Sequence, residues 1–301
     1  MTPLSPAAHT ERRGQYYSPV TEPSVTAVIP VFNEEVSLEA CIASLRAQDF
    51  RPLEIIAVDD GSTDSSPEIC RRLGIKLLVQ DHGGPGAARN LGSRSASGKI
   101  LLFADADMTF AGDYVSKLIA PILSGNAIAT CHWNERVANW DNLWARCQTW
   151  FLGNPDGRRQ PLVPPDRESV YRAVRKDFFL SSGGFSEAEG KGDDASVSRR
   201  TGVYAAIVPD AVCYHLNISG PGEIFSEAAW SGKNVAVERS GRARRCLSAS
   251  LIHHNPLKEL FKGLCVGARK REPRVVLYAM LYSAGYQYGL MKALFSGDYA
   301  K

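Results

Sequence analysis

Two groups of acidic residues in this chain come directly after apolar segments, at places where carboxylates can do chemistry. Asp105 and Asp107 are separated by one residue and follow residues 99–103. Carboxylate oxygens with this spacing can hold a hard divalent cation, which keeps several waters and bridges the phosphates of a substrate. A solvated acidic turn is the alternative, but the position at the end of a buried strand favours a cation site.

The second group, residues 59–64, begins with Asp59 and Asp60 at the end of another apolar segment. Its carboxylates can accept hydrogen bonds from a nucleobase or a ribose, and the helix that follows can present its N-terminus to phosphate. The other interpretation is a plain Asp-Gly turn in which Asp64 or Ser65 caps that helix. The six residues by themselves leave both interpretations open.

The segment 83–90 is rich in glycine and opens a predicted helix. Gly84, Gly86 and Arg89, with Asp105 about twenty residues further on, approximate a dinucleotide-binding fingerprint. However, Arg89 stands where the third glycine should be, and the unit follows the third predicted strand rather than the first. The match is therefore weak, and Arg89 can instead face a diphosphate or form a surface ion pair.

These residues need a scaffold that brings them together, and the apolar pattern predicts one. Buried, β-branched strands alternate with short helices, which is typical of an α/β protein with a mainly parallel sheet and helices on both faces. Ligands of such sheets bind at the carboxyl ends of the strands, where the polar groups lie. The predicted strands are residues 24–32, 53–58, 76–79, 99–103, 169–174, 204–208 and 211–215. The first predicted helix is capped by Asn33, and its apolar stripe is Leu38, Cys41, Ile42 and Leu45. Two further helices, 65–73 and 87–95, and a loop, 154–166, are also predicted.

The composition excludes several classes of protein. Of the 301 residues, 44% are hydrophobic and 22% charged, so the chain is neither disordered nor of low complexity. Its 35 basic and 32 acidic residues give a net charge of +3, which is too mild to indicate a nucleic-acid partner. Seven scattered cysteines without a Cys-x-x-Cys pair predict reduced thiols in the cytoplasm, and the N-terminus lacks the apolar segment of a signal peptide.

Six short segments, taken in their order along the chain, resemble the family-2 glycosyltransferases of the GT-A fold. They are VIPVFNEE (28–35), VDDGSTD (58–64), GAARNLG (86–92), FADAD (103–107), GGF (183–185) and GDD (192–194). The resemblance covers residues 24–216. It implies a GT-A (Rossmann-like) sheet and the transfer of a sugar from a nucleotide-diphosphate donor, usually with the help of a metal ion.

The resemblance also implies roles for single residues. Asp107 would ligate Mg²⁺ or Mn²⁺, and His215 would be a weaker ligand, although a histidine at a strand end is more often structural. Asp59 would contact the nucleobase and Asp105 the sugar of the nucleotide. The complete set expected to bind the donor is Pro30, Phe32, Glu34, Asp59, Arg89 and Asp105.

Asp193 and Asp194 stand where the family has its catalytic base. The family usually reads Glu-Asp at this place, and the Asp-Asp pair, Ser196 and residues 199–200 depart from its pattern. We predict that Asp194, or else Asp193, is the base, and the alternative is an acidic loop that caps the following helix. The Gln-x-x-Arg-Trp signature of processive enzymes is absent, with residues 227–230 as its nearest piece, which predicts one sugar per encounter.

Three regions are predicted along the chain: a flexible tail (1–23), a catalytic domain (24–219) and a helical, basic C-terminal extension (220–301). Residues 275–291 carry no charge and are fewer than the roughly 20 apolar residues of a spanning helix. They form either a helix in the interface of an anionic membrane or a helix packed on the catalytic domain. A core position, rather than an acceptor- or membrane-facing one, is predicted for the stripe Trp140, Leu143, Trp144, Cys147, Trp150 and Phe151.

Together these predictions describe an inverting, non-processive glycosyltransferase of cell-envelope polysaccharide or glycolipid biosynthesis. A metal ion on Asp107 would offset the charge of the leaving nucleoside diphosphate, and Asp194 or Asp193 would take the proton of an acceptor hydroxyl. The acceptor is expected to be a glycan, a lipid-linked group or another hydroxyl compound. The protein is expected in the cytoplasm or on the inner face of the plasma membrane. An NAD(P)-dependent oxidoreductase and a non-catalytic surface-binding protein stay open as alternatives.

Overall fold

The computed structural model describes residues 24–187, 192–237 and 255–296. Eight strands within these residues form one sheet. The strands are β1 (Val25–Val31), β2 (Leu53–Asp59), β3 (Lys76–Val79), β4 (Ile100–Phe103), β5 (Met108–Phe110), β6 (Ala129–Val137), β7 (Ala173–Arg175) and β8 (Ala206–His215). Their order is β3-β2-β1-β4-β7-β6-β8-β5.

Helices cover both faces of this sheet and continue beyond it. In chain order the α-helices are α1 (Leu38–Arg46), α2 (Ser66–Arg72), α3 (Pro85–Ser95), α4 (Tyr114–Leu123), α5 (Leu143–Leu152), α6 (Lys176–Ser181), α7 (Ser196–Thr201), α8 (Pro221–Val237), α9 (Pro256–Lys270) and α10 (Arg274–Ser296). A 3₁₀ helix, Asp193–Ala195, precedes α7.

The first half of the sheet is parallel, as the alternating pattern predicts. β3, β2, β1 and β4 all run in the same direction, and β1 lies between β2 and β4. Alternate residues of β1 face opposite layers: Ile29 packs with α1 and α4, whereas Val28 packs with α3. Because both faces are covered, the strand is apolar along its whole length. The carboxyl ends of these strands therefore meet at one edge of the sheet.

Two local predictions in this half have different outcomes. The stripe Leu38, Cys41, Ile42 and Leu45 is fully buried, which confirms the face of α1. Asn33 does not cap that helix, since Ser37 occupies the N-cap position. Asn33 instead adopts a left-handed backbone with φ of 57°, and its side-chain oxygen accepts a hydrogen bond from Thr63 N at 2.8 Å. A short amide side chain that bonds a neighbouring loop tolerates this conformation.

The second half of the sheet is mixed and departs further from the predicted elements. Of the predicted strand 169–174, only Ala173 and Val174 lie in β7, which pairs antiparallel with both β4 and β6. The two strands predicted within residues 204–215 form one strand, β8, whose partner β6 shifts register between His132 and Asn134. β5, α4 and β6 were not predicted, whereas the loop 154–166 is confirmed.

The C-terminal helices pack on one another and on α5. Cys147 and Phe151 of α5 are buried against Tyr278 of α10, so the core position predicted for this stripe is confirmed for these residues. Trp144 and Trp150 are partly buried beside them, and Trp140 precedes the helix. A Cβ atom at Gly285 or Gly289 would overlap the backbone of α8, so these glycines permit close helix packing. None of the helices in the described ranges is long and apolar enough to cross a membrane.

Candidate active site

Two adjoining cavities lie at the carboxyl ends of the parallel strands. The first, of about 400 Å³, is lined by Pro30, Phe32, Glu34, Asp60, His82, Arg89, Asp105 and Asp107, among others. The second, of about 580 Å³, shares Glu34, Arg89, Asp105, Asp107 and Trp230 with the first and adds Asp193, Asp194, Arg159 and His215. The fold thus brings together nine of the ten predicted site residues, and the exception is Asp59.

Asp60, rather than Asp59, faces the first cavity among the described lining residues. Asp59 is buried, and its Oδ1 accepts a hydrogen bond from Ser62 N at 3.1 Å. The Asp60 carboxylate accepts hydrogen bonds from Gly83 N at 2.8 Å and Gly84 N at 2.9 Å. Successive residues at a strand end point in different directions, and this decides which of two adjacent acids reaches the site.

This use of the glycine segment argues against the dinucleotide alternative. The amide of Gly84, the first glycine of the fingerprint, and that of the preceding Gly83 are already bonded to Asp60 rather than open to a pyrophosphate. At the start of α2, Asp64 Oδ1 accepts a hydrogen bond from Ser66 N at 3.0 Å. Ser65 is the N-cap residue of α2 and makes no side-chain cap bond, so Asp64 bonds the helix from the residue before the cap. The segment 59–64 therefore includes a turn that bonds the following helix as well as a carboxylate that lines the cavity.

A network of two arginines and two aspartates forms the floor between the cavities. Arg89 Nη2 lies 2.7 Å from Asp105 Oδ1, and Arg89 Nη1 lies 3.5 Å from Asp193 Oδ2. Arg172 Nη1 lies 2.7 Å from the other oxygen of Asp105. Burial alone would raise the pKa of Asp105, but the two guanidinium groups outweigh it and hold that pKa well below its usual range. Arg89 is thus an internal ion-pair residue rather than a surface one.

Arg172 was missed by the sequence analysis, although the sequence carries a signal for it. It is the one charged residue in the predicted apolar strand 169–174. A charged side chain in a buried strand requires a buried partner of opposite charge. Here the partner is Asp105, which follows the neighbouring strand β4.

A second network joins Asp107 to the middle of β6. The pairing of Met108 with His215 places the Asp107 carboxylate beside the imidazole, with 2.8 Å between Asp107 Oδ2 and His215 Nε2. His215 Nδ1 lies 2.5 Å from Glu135 Oε1. Burial lowers the pKa of His215, but the carboxylates of Asp107 and Glu135 outweigh that effect and raise it to about 9. Glu135 was also missed, because β6 itself was not predicted.

Asp193 and Asp194, the pair predicted to supply the base, lie in different environments. Asp193 is buried, and burial raises its pKa to about 6 against the opposing effect of Arg89. Asp194 is only partly buried and lines the second cavity. The pair does not form a side-chain cap on α7, since the N-cap residue of that helix is Ala195 and makes no such bond. Gly86 is required here, because a Cβ on it would lie 2.6 Å from Asp193 Oδ2.

The residues at the border of the cavities fit a divalent cation that is shared with a substrate. In the described part of the chain, no cluster of three or more His, Cys, Asp and Glu side chains is ready to enclose a metal ion. Asp107 and His215 offer one carboxylate and one imidazole next to an open cavity. Mg²⁺ and similar ions are commonly held by one or two protein groups, with phosphate oxygens and water completing the coordination. Asp107 and His215 are suited to such a site.

Comparison with known proteins identifies the fold and then the family. A mannosyltransferase from Pyrobaculum calidifontis, solved with GDP-Man and Mn²⁺, superposes with a TM-score of 0.56 at 18% identity, covering 95% of this chain and 92% of that one. TarS 1–349 from S. aureus, solved with UDP, gives a TM-score of 0.50 at 16% identity, covering 92% and 93% of the two chains. The molecule has the GT-A fold of nucleotide-sugar transferases, with helices added at the C-terminus. The sequence model of glycosyl transferase family 2 matches residues 26–180, and the chain belongs to this family.

Curated glycosyltransferases are similar to part of this chain. Glycosyltransferase GlyA of Streptococcus pneumoniae is 35% identical over 113 residues, which are 36% of this chain and 16% of that protein. The GalNAc(5)-diNAcBac-PP-undecaprenol beta-1,3-glucosyltransferase of Campylobacter jejuni is 33% identical over 112 residues, 35% of this chain and 36% of that protein. The chain thus spans less than half the length of these relatives.

Proposed function

We propose that this protein transfers a sugar from a nucleotide-diphosphate donor to an acceptor hydroxyl with inversion at the anomeric carbon. The observation that carries the proposal is the pair of adjoining cavities with Asp107, His215 and Asp194 at their border. A donor in one cavity and an acceptor in the other would meet where the metal-binding and proton-accepting groups lie. Family membership supports the same reaction class.

The first cavity suits the nucleotide part of the donor. Phe32 and His82 form a tilted aromatic pair with 4.3 Å between ring centroids, which offers a flat surface to a nucleobase. Asp60 lies beside this pair and takes the role that we predicted for Asp59. Asp105 already accepts from two arginines, but its carboxylate oxygens have further lone pairs that can accept from a ribose hydroxyl.

The diphosphate would lie toward Asp107 and His215. These residues would hold a Mg²⁺ or Mn²⁺ ion, which when bound offsets the charge of the leaving nucleoside diphosphate. Arg89 also lines this border, where its guanidinium adds positive charge next to the diphosphate. Pro30 and Glu34 complete the wall of the donor cavity.

The base would act from the second cavity, on the acceptor side. Asp194 lines that cavity and has no arginine partner among the ion pairs of the described residues, whereas Asp193 is buried against Arg89. We therefore assign Asp194 as the base and Asp193 as the group that positions its segment. Attack from the side opposite the diphosphate gives a single displacement and inverts the anomeric centre.

The residues that line the second cavity also indicate which class of acceptor it can bind. Trp230 and Glu227 of α8 line it together with Leu216 and Ile218, so it offers both an aromatic face and polar contacts to a sugar. We propose a glycan or lipid-linked hydroxyl as acceptor, a role in cell-envelope polysaccharide or glycolipid biosynthesis, and one transfer per encounter. The lack of the processive signature at residues 227–230 supports the last point.

The function is tested by donor hydrolysis and transfer with a panel of UDP- and GDP-sugars, with and without Mn²⁺. We expect one donor to be consumed only when the metal is present, and chelator to stop the reaction. Asp107→Ala should bind that donor more weakly and should not recover when Mn²⁺ is added. Equal donor affinity with and without metal would contradict the metal assignment, and binding of NAD(P) without any sugar nucleotide would overturn the proposal.

We further propose that residues 24–219 are the catalytic domain and that residues 220–301 hold it on the inner face of the plasma membrane. α10 buries one side: Tyr278 packs on α5 of the catalytic domain, and Tyr286 and Leu290 lie against Gly232 of α8. Its other side and that of α9 remain apolar and exposed. The exposed side chains are Leu257, Phe261, Leu264, Leu277, Met280, Tyr288, Met291 and Phe295.

Basic residues accompany this stripe, which favours an anionic lipid surface over a neutral one. Lys258, Arg269 and Arg271 are exposed on or next to α9, whereas the ammonium group of Lys262 lies over the Phe151 ring. Each basic residue near such a surface contributes about 1 kcal/mol of attraction, and the apolar side chains add insertion energy. The two alternatives for residues 275–291 are therefore compatible, because packing and membrane contact use opposite sides of one helix.

Sedimentation with phosphatidylglycerol vesicles tests this assignment. We expect the protein to bind at low salt, to be released by high salt, and to lose binding in Phe261→Glu with Phe295→Glu. Leu162→Glu is the matched control, since Leu162 is equally exposed but lies in the loop 154–166. A protein that stays in the supernatant at low salt would contradict membrane contact, and release only by detergent would contradict a peripheral mode.

A further inference from the structure

Glu135 is buried in the middle of β6 and lies behind His215, away from the substrate cavities. Only 7% of the residue is exposed, and it is not among the described residues that line either of the two cavities. Its Oε1 lies 2.5 Å from His215 Nδ1, and the opposite ring nitrogen of His215 lies 2.8 Å from Asp107 Oδ2. The imidazole is thus placed between two carboxylates, one of which faces the cavities.

Both oxygens of Glu135 are held by the surrounding residues. Arg159 Nε lies 2.8 Å from Oε1, and His132 Nε2 lies 3.4 Å from Oε2. His132 is held in turn through its other nitrogen, 2.8 Å from the Tyr114 hydroxyl. The loop 154–166, β6 and, through His132, α4 thus hold this carboxylate. Its direction toward His215 is therefore determined by the fold and needs no ligand.

Arg159 also braces the segment that follows His215. Its Nη1 donates to Leu216 O at 3.0 Å and to Asn217 Oδ1 at 2.6 Å. The loop 154–166, which carries Arg159, therefore positions the imidazole twice: through Glu135 and through the adjoining backbone. A histidine held at one nitrogen by a carboxylate presents the other nitrogen in one direction, and such support commonly accounts for a 10–100-fold change in metal affinity.

We propose that Glu135, braced by Arg159, is a positioning residue that directs His215 Nε2 at the cation shared by Asp107 and the donor diphosphate. The inference rests on the metal site of the proposed function. It assigns a role to Glu135, which lines neither cavity, and a second role to Arg159, which lines the second cavity and also holds Glu135. Its basis is the geometry of the Asp107–His215–Glu135 chain.

The test measures Mn²⁺ binding rather than turnover. Free Mn²⁺ is titrated by electron paramagnetic resonance in the presence of UDP, for wild type, Glu135→Gln and Glu135→Asp. We expect Glu135→Gln to weaken Mn²⁺ binding about 10–100-fold, and Glu135→Asp to recover part of the loss because it keeps the charge. Glu54→Gln is the matched control, since Glu54 is a hydrogen-bonded carboxylate at the opposite end of the strands. It should lower the melting temperature and leave Mn²⁺ binding unchanged.

A second variant and a spectroscopic measurement separate positioning from loss of folding. Arg159→Gln removes a partly exposed side chain and should weaken Mn²⁺ binding several-fold in a folded protein. In ¹⁵N-histidine spectra of the metal-free protein, the His215 ring signal, identified with His215→Ala, should shift in Glu135→Gln. Wild-type affinity for Mn²⁺ in both variants would overturn the inference alone. A wild-type protein that binds no Mn²⁺ with UDP would overturn the metal assignment as well.

Discussion

The two halves of the sheet supply different parts of the candidate active site. The parallel half, β3-β2-β1-β4, presents Glu34, Asp60 and Asp105 from the loops that follow its strands. The mixed half, β7-β6-β8-β5, contributes Glu135 from within a strand, Arg172 from just before β7, and His215 from the end of β8. The first half thus forms the wall of the donor cavity, and the second sets the charge and direction of the groups in that wall.

The charged groups of the parallel half thus take their partners from elsewhere in the fold. Asp105 belongs to the parallel half, but the partners that lower its pKa are Arg172, next to β7, and Arg89, from α3. Asp107 likewise faces His215 across the β5–β8 pairing. Substitutions in the two halves are therefore expected to have different consequences.

The largest effect is expected at the acceptor border. Asp194→Asn keeps the size of the side chain but cannot accept a proton at neutral pH, so turnover should fall about 10²–10⁴-fold. Donor affinity should stay near that of wild type, because Asp194 lies on the acceptor side and is not among the groups proposed to hold the donor. Steady-state kinetics with calorimetric donor binding measures both quantities. A severe loss in Asp193→Asn with a mild one in Asp194→Asn would move the base by one residue.

A large loss of stability is expected from breaking the buried ion pair between the halves. Arg172→Met leaves Asp105 with a single arginine partner in a buried place, and breaking such a pair typically costs about 3–5 kcal/mol. Arg175→Met removes the partner of Asp177, a carboxylate that is 67% exposed, and should cost less than about 1 kcal/mol. Denaturant unfolding of both variants checks the contrast. Equal losses of unfolding free energy in Arg172→Met and Arg175→Met would show that Arg172 does not support the site electrostatically.

A smaller, pH-dependent effect is expected at Asp193. Its pKa is raised from 3.8 to about 6 by burial, so the folded state holds this proton more tightly than the unfolded state. The group therefore costs no stability below about pH 4 and the full amount above about pH 6. Asp193→Asn should raise the melting temperature at pH 7.5 and leave it unchanged near pH 4. Asp177→Asn should instead lower the melting temperature at pH 7.5, because Arg175 lowers the pKa of Asp177 and so the charged form stabilises the folded state.

The smallest effect is expected at the end of β2, where it distinguishes two adjacent acids. Asp60→Asn replaces a carboxylate that accepts from two glycine amides, each bond being worth about 0.5–1.5 kcal/mol. Donor affinity should fall about tenfold, because the glycine segment and the cavity wall would shift. Asp59→Asn changes a residue bonded to Ser62 and should change affinity less. The opposite order, measured by donor titration, would restore Asp59 as the contact residue.

The amino-acid sequence by itself determined the parallel half and most of the residues around the cavities. Strands β1 to β4 are short, mainly apolar runs separated by helices, and the stripe on α1 follows the helical period. Such local patterns specify which faces are buried, and the parallel order then brings the strand ends together. Asp105, Asp107 and the pair Asp193–Asp194 could be located in this way.

Only the tertiary structure decided how these groups are paired. The choice of Asp60 over Asp59 depends on the direction of the chain as it leaves β2, and Glu135 reaches His215 from a strand separated by about eighty residues. Burial and charge then set the pKa values of Asp105, Asp193 and His215 through partners that are distant in the chain. Electrostatic interactions depend on distance and burial in space, and neither quantity is encoded in the local pattern of a sequence.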